Sequence, residues 1–230
     1  MSAPDWTPLL TRAEQVLDRL EGLLPHALQA PDWQVAVAWR YRKRPHAGAV
    51  LEPVRHIGPI ALADLREVDT QKARFARNVA QFVAGRPANN VLLSGARGTG
   101  KSSLVRAALN EHAAHGLRLI EVDKTDLIDL PDLIELMQAR PERFMVFCDD
   151  LSFDDGEPGY KALKSVLDGT VSASSDNVMI VATSNRRHLL PEYHADNQTY
   201  HRDADGELHP GEAVEEKISL SERFGLWISF

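Results

Sequence analysis

Val91-Leu92-Leu93-Ser94-Gly95-Ala96-Arg97-Gly98-Thr99-Gly100-Lys101-Ser102-Ser103 is the stretch that decides the fold of this chain. An apolar run ends in a loop with glycine at 95, 98 and 100, and a helical pattern follows from Ser102 to His115. The pattern G-x-x-x-x-G-K-[ST] is met between a strand and a helix, the context that gives it meaning. Glycine lets the backbone wrap so tightly that successive N–H groups face phosphate oxygens. The helix start adds its positive end. Lys101 brings a point charge to the outer phosphates, and the Ser102 hydroxyl can ligate magnesium. Residues Gly95, Ala96, Arg97, Gly98, Thr99, Gly100, Lys101, Ser102 and Ser103 are therefore the candidate binding loop for a nucleoside triphosphate, ATP with Mg2+. A chance glycine turn is the alternative, and the flanking strand and helix argue against it.

Downstream the pattern repeats. Short apolar runs occur at Leu117 to Val122, Phe144 to Cys148, Val178 to Ala182 and Leu226 to Phe230. Helical stretches lie between most of them, at Asp129 to Ala139 and Tyr160 to Leu167. Apolar runs alternating with helices predict an α/β domain with a parallel sheet covered on both faces. Upstream, Thr70 to Ala84 reads as a helix that buries Phe75, Val79 and Phe82, with Asp69 as its N-cap.

The run Phe144 to Cys148 ends in Asp149-Asp150. A carboxylate at a strand tip is the expected partner of a phosphate loop, because it holds the metal. Asp149 takes that role, and Asp150 is placed to act as general base on a water. Adjacent carboxylates repel, and a bound cation relieves them. An acidic turn after a core strand is the plain alternative. Asp123-Lys124-Thr125-Asp126 resembles the guanine-reading signature of GTPases, but it precedes the acidic pair where GTPases place it after. It reads as a solvated strand-end turn.

Composition narrows the class. The chain has 230 residues, 43% hydrophobic and 26% charged, as in an ordinary globular protein. Its formal net charge of -7 argues against a general nucleic-acid coat. The single cysteine, Cys148, excludes an internal disulfide framework and reads as a buried thiol. No apolar stretch is long enough to span a membrane, and no signal pattern opens the chain, so the expected location is the cytoplasm.

Other signals have two readings each. Trp39-Arg40-Tyr41-Arg42-Lys43-Arg44 mixes aromatic and basic residues, as a single-strand nucleic-acid contact does; a strand with a solvated basic face is the plainer reading. Arg186-Arg187-His188 is a partner surface or an ordinary loop. His194, His201 and His209 lie in a polar segment, 194–211, without the tight ligand spacing of a zinc site. The N-terminal helical stretch, with leucines at 9, 10, 17, 20 and 24, packs on its own domain or docks a partner.

The assembled residues resemble an AAA+ ATPase. In that family the fourth strand ends in a polar sensor, and Val178 to Ala182 leads into Thr183-Ser184-Asn185, so Asn185 matches. An arginine before the fifth strand reaches the nucleotide of a neighbouring subunit, and Leu220-Ser221-Glu222-Arg223-Phe224-Gly225 supplies Arg223. Ile60-Ala61-Leu62-Ala63-Asp64-Leu65 with Val68-Asp69 looks like the segment that packs on the adenine. The wording around the glycine loop, the Asp-Asp pair and Arg223 is most similar to an uncharacterised bacterial AAA+-like family of ATP-binding proteins. The resemblance implies a five-stranded parallel sheet of order 5-1-4-3-2, an N-terminal helical extension over 1-56 and a nucleotide-binding α/β domain over 57-230. It also implies a homo-oligomer in which Arg223 acts in trans. Two departures stand out. Asp150 replaces the usual Glu, and no helical lid follows Phe230, through truncation of the sequence or true absence of the lid. Both imply weak nucleotide affinity and slow turnover.

The function these residues imply is hydrolysis of Mg-ATP by in-line attack of water, with Lys101, Asp150, Asn185 and Arg223 as catalytic residues and Ser102 and Asp149 on the metal. The rival is a nucleotide-gated binding module with little hydrolysis. A small-molecule kinase needs an acceptor pocket and a lid, for which there is no signature.

Overall fold

The structure, a computed structural model, describes residues 6–21, 28–44, 48–153, 157–169, 176–185, 201–202, 208–209 and 220–230. Helix α1 spans Thr7–Glu21. Strands β1 (Ala38–Arg44) and β2 (Gly48–Pro53) follow, then helix α2 (Asp69–Val83) and strand β3 (Val91–Ser94). Helix α3 (Lys101–His112), β4 (Leu117–Glu121), α4 (Leu130–Gln138) and β5 (Arg143–Cys148) come next. Helix α5 (Pro158–Leu167), β6 (Val178–Ser184), the short pair β7 (His201–Arg202) and β8 (Leu208–His209), and β9 (Leu226–Ser229) complete the chain.

The main sheet has seven strands in the order β2-β1-β4-β5-β6-β3-β9. It is mixed: β2 runs antiparallel to β1, and every other neighbouring pair is parallel. The expected five-stranded parallel sheet is corrected on both counts. The two additional strands come from the N-terminal extension, which carries strands as well as a helix. Alternate residues of β1 are large and aromatic, and Trp39 and Tyr41 are buried against the core, so β1 joins the sheet beside β4. The five strands read from the sequence stand together as β4-β5-β6-β3-β9.

Both faces are covered. One cluster contains Trp33, Trp39, Leu127, Phe144 and Phe153, and the other contains Phe75, Val79, Leu104, Val105 and Val181. Phe144 meets Trp33 edge-on at 4.7 Å. Truncating such a buried aromatic costs about 3–5 kcal/mol. Helix α2 buries Phe75, Val79 and Phe82 as its spacing predicts, although Val68, not Asp69, is the N-cap. Asp69 lies in the first turn instead and pairs with Lys72 at 2.8 Å.

Strand β9 is an edge, and α2 closes it. Leu226 N and Phe230 N donate to Asn90 O and Ser94 O of the β3 side, so the alternate residues present their backbone outward. Gln71 Nε2 donates to Ser229 O at 3.0 Å, and Arg74 donates to Trp227 O at 3.2 Å. Two outward carbonyls are thus taken by side chains, which blunts the edge against further strand pairing.

Of the leucines of the N-terminal stretch, Leu9, Leu20 and Leu24 lie outside the residues whose side chains are described. Trp6, just before the helix, and Leu10, Val16 and Leu17 on it are exposed. No helix among the described residues is long and apolar enough to cross a membrane.

Candidate functional site

The glycine loop leaves β3 at its carboxyl end. Gly95, Gly98 and Gly100 have φ of 143°, 84° and 95°, the region where a side chain is strained. Gly95 is doubly required: a Cβ there would lie 2.8 Å from Phe230 O. Thr99 Oγ1 donates to Ala96 O at 2.9 Å and stiffens the turn. Helix α3 starts at Lys101, and its first N–H groups face the loop.

Lys101 is buried. Its Nζ donates to Gly95 O (2.7 Å), Ala96 O (2.8 Å) and Asn185 Oδ1 (3.0 Å). Burial pushes its pKa down, against the upward pull of Asp149 and Asp150. Asn185 Nδ2 donates to Asp150 Oδ1 at 2.7 Å. The amide orientation is fixed from both sides, since only its oxygen can accept from the lysine.

The carboxylates are held with equal care. Ser102 Oγ donates to Asp149 Oδ1 at 2.7 Å. Thr183 Oγ1 donates to the same oxygen at 2.5 Å and accepts the Asp150 N–H at 2.8 Å. Leu151 N donates to Thr183 O at 2.7 Å. Asp150 itself has φ of 54°, a left-handed conformation uncommon outside glycine. The sheet explains the meeting: Cys148 is the register partner of Ala182, so the next residues of β5 and β6 stand side by side. Cys148 is buried, and its thiol is pushed up to about 12, so it stays protonated beneath the site.

These groups line a cleft of 360 Å³ together with Arg97, Gly98, Gly100 and Ser103. Thr183 and Arg106 line it too and were not read from the sequence. Strand register points to Thr183. Arg106 lies four residues beyond Ser102 on α3, where its Nε donates to Ser102 O at 3.3 Å. The segment before α2 borders the loop: Leu65 Cδ2 lies 4.0 Å from where a Gly100 Cβ would sit. Asn110 pins that segment through Gly58 O and Ile60 O at 3.0 and 2.9 Å.

The hard oxygens of Ser102 and Asp149 lie within hydrogen-bond reach of each other, a donor set suited to magnesium. The positive-φ loop and helix start above them suit phosphate. The residues present therefore fit a magnesium–triphosphate pair.

Arg223 is not brought to this cleft. It precedes β9, whose first residue, Leu226, is the register partner of Val91, so it lies at the amino end of the sheet, opposite the loop. There it pairs with Asp168 at 2.6 Å and borders a second cleft of 450 Å³.

The remaining readings separate cleanly. In the Trp39 to Arg44 run the two aromatics are core, so they are not stacking platforms. The basic residues pair with Glu121, Glu52 and Asp129, forming a solvated ion-pair face. Asp123 caps a turn by accepting from Thr125 N and Oγ1 at 3.0 and 2.9 Å, and these bonds hold its carboxyl below the usual range. The polar segment 194–211 contains the β7–β8 pair, with His201 opposite His209 in register. No group of three or more His, Cys, Asp or Glu able to hold a metal occurs among the described residues. Arg186, Arg187, His188 and His194 lie outside the described residues.

Comparison with known proteins gives a family and distant likenesses. No curated protein matches the chain. Among solved structures, Aeropyrum pernix Orc1 in complex with DNA is 14% identical, with a TM-score of 0.49, over 71% of this chain and 45% of that one. DnaI is 19% identical, with a TM-score of 0.48, over 76% of this chain and 90% of that one. The Thermotoga maritima RuvB Holliday junction branch migration motor is 16% identical, with a TM-score of 0.45, over 76% and 48%. The chain thus spans less than half the length of the Orc1 and RuvB chains, and likenesses this distant assign no activity. Residues 34–230 match the model of one family over most of the chain. By that match the chain belongs to the family described as "Protein of unknown function (DUF815)", in keeping with the AAA+-like family that the sequence resembles.

Proposed function

We propose that the chain binds Mg-ATP at the glycine loop and hydrolyses it slowly, with a second copy completing the site. The observation that carries this reading is the short bond between Ser102 and Asp149. It joins the first turn of α3 to the tip of β5, the two places a magnesium–triphosphate site needs. When bound, magnesium supplies positive charge against the outer phosphate oxygens. Ser102 and Asp149 hold it. Lys101, freed from Gly95 O and Ala96 O, turns to the phosphates. Asp150 takes a proton from the attacking water, and Asn185 orients that water by an amide it already shares with Asp150. Arg223 of a second copy meets the developing charge, because its own chain places it at the far end of the sheet.

Phosphate release measured against protein concentration tests this. A rate per chain that rises with concentration, and loses the rise in Arg223→Ala, supports it. A flat, zero rate with ATP still bound would falsify the hydrolytic reading.

A nucleotide-gated binding module is the second reading, favoured by one observation. Asp150 is short, sits at positive φ and is tied to Asn185. Asp150→Glu separates the two: a several-fold faster release marks a site limited by carboxylate reach, and no change leaves binding as the function.

A further inference from the structure

Helix α5 ends on Asp168, its C-cap. An acid there faces the negative end of the helix dipole, an arrangement that costs roughly 0.3–1 kcal/mol at an exposed position. Asp168 is offset by Arg223: Oδ1 lies 2.6 Å from Nε, and both side chains are about one-third exposed or less. Arg223 also borders the 450 Å³ cleft at the amino end of the sheet, which Arg86, Arg143 and Asp176 line as well. Asp168 is not among the described residues lining that cleft. The ion pair with Asp168 thus holds Arg223 at the rim of this cleft.

We propose that Asp168 is a positioning residue, which orders Arg223 for the triphosphate of a second copy of this chain. The proposal rests on the trans reading given under Proposed function. Holding an arginine side chain in one geometry costs rotamer entropy. A counter-ion that fixes it beforehand removes that cost from the moment at which charge develops. A helix-end asparagine would suit α5 alone better, so an aspartate at this cap points to the arginine.

The test is phosphate release at rising protein concentration for the full chain, Asp168→Asn, Asp168→Glu, Arg223→Ala and the Asp168→Asn/Arg223→Ala double variant. Asp168→Asn is expected to lower the maximal rate per chain by about tenfold, the scale of a misaimed catalytic group, with the half-saturating ATP concentration unchanged. Asp168→Glu should recover most of the loss. Asp168→Asn should have no further effect once Arg223 is alanine. Asp168→Ser serves as a second variant of the same sign if the asparagine form does not fold. A full rate in Asp168→Asn while Arg223→Ala abolishes the concentration-dependent rise overturns the proposal alone. A further loss in the double variant also overturns it, because Asp168 then acts elsewhere. Persistence of the rise in Arg223→Ala brings down the trans reading itself, and the proposal with it.

Discussion

At the carboxyl end of the sheet, Lys101, Asn185, Asp150, Thr183, Asp149 and Ser102 form one continuous chain of hydrogen bonds. At the amino end, Arg86, Arg143 and Arg223 share a cleft with Asp176 among the described residues. Arg143 is anchored by donating to Asp176 O at 2.5 Å and by lying over the Phe82 ring, whereas Arg86 forms no ion pair with the described residues. The first end is tied together by its hydrogen bonds, and the second groups its arginines beside a cleft. The two ends differ in how their charged groups are held, by one bonded network at the carboxyl end and by separate ion-pair, carbonyl and ring contacts at the amino end. The proposed trans site requires a head-to-tail contact, because the loop of one copy meets Arg223 of the other.

The largest expected effect breaks the amino end. Arg223→Ala should lower the rate at high protein concentration by about a thousandfold, while ATP binding, read by equilibrium dialysis, stays unchanged. Survival of the rate would remove the amino end from the reaction. Next comes the carboxyl end: Lys101→Ala should cost about a hundredfold or more in rate and weaken ATP binding as well. Loss of binding in one variant and its retention in the other is the sharpest form of the contrast. Thr183→Val keeps the shape and removes the hydroxyl that bonds the Asp149 carboxylate and the Asp150 N–H. It should raise the half-saturating magnesium concentration for phosphate release by about tenfold; an unchanged value would make Thr183 structural only.

Those variants map onto what the sequence made legible. Lys101, Ser102 and the glycines are neighbours along the chain, so a local pattern revealed them. Asp149 and Asn185 end apolar runs, and that also is a local signal. Thr183 becomes part of the site only through the pairing of β5 with β6, which no local pattern displays. The outer strands were hidden for a related reason. In β1 every second residue from Arg40 onward is charged, so the run resembles a basic surface stretch until Trp39 and Tyr41 are seen in the core. Arg223 was legible as a residue, but its partner Asp168 was not: 55 positions separate them in the chain, and only the fold brings them together.

The smallest effect lies outside both ends. Tyr41 OH donates to Asp129 at 2.9 Å, and burial followed by that bond raises its pKa well above 10. The unfolded chain ionises this tyrosine near pH ~10, while the folded chain keeps the proton. The folded state then binds the extra proton, so stability falls as pH rises beyond about 10. Urea midpoints at pH 8 and above pH 10 should show a smaller fall for Tyr41→Phe than for the parent chain. An equal fall would place the alkaline sensitivity elsewhere and detach β1 from the account.

The tryptophan of β9 has one more consequence. Trp227 Nε1 donates to Ser94 Oγ at 2.6 Å, and Ser94 immediately precedes the glycine loop. Trp33 and Trp39 are buried in the hydrophobic cluster against which Trp227 also packs, but no bond of theirs reaches Ser94 among the described residues. One indole is therefore wired to the residue on which the loop turns, and its emission becomes an optical reporter of what that loop holds, readable without any attached dye.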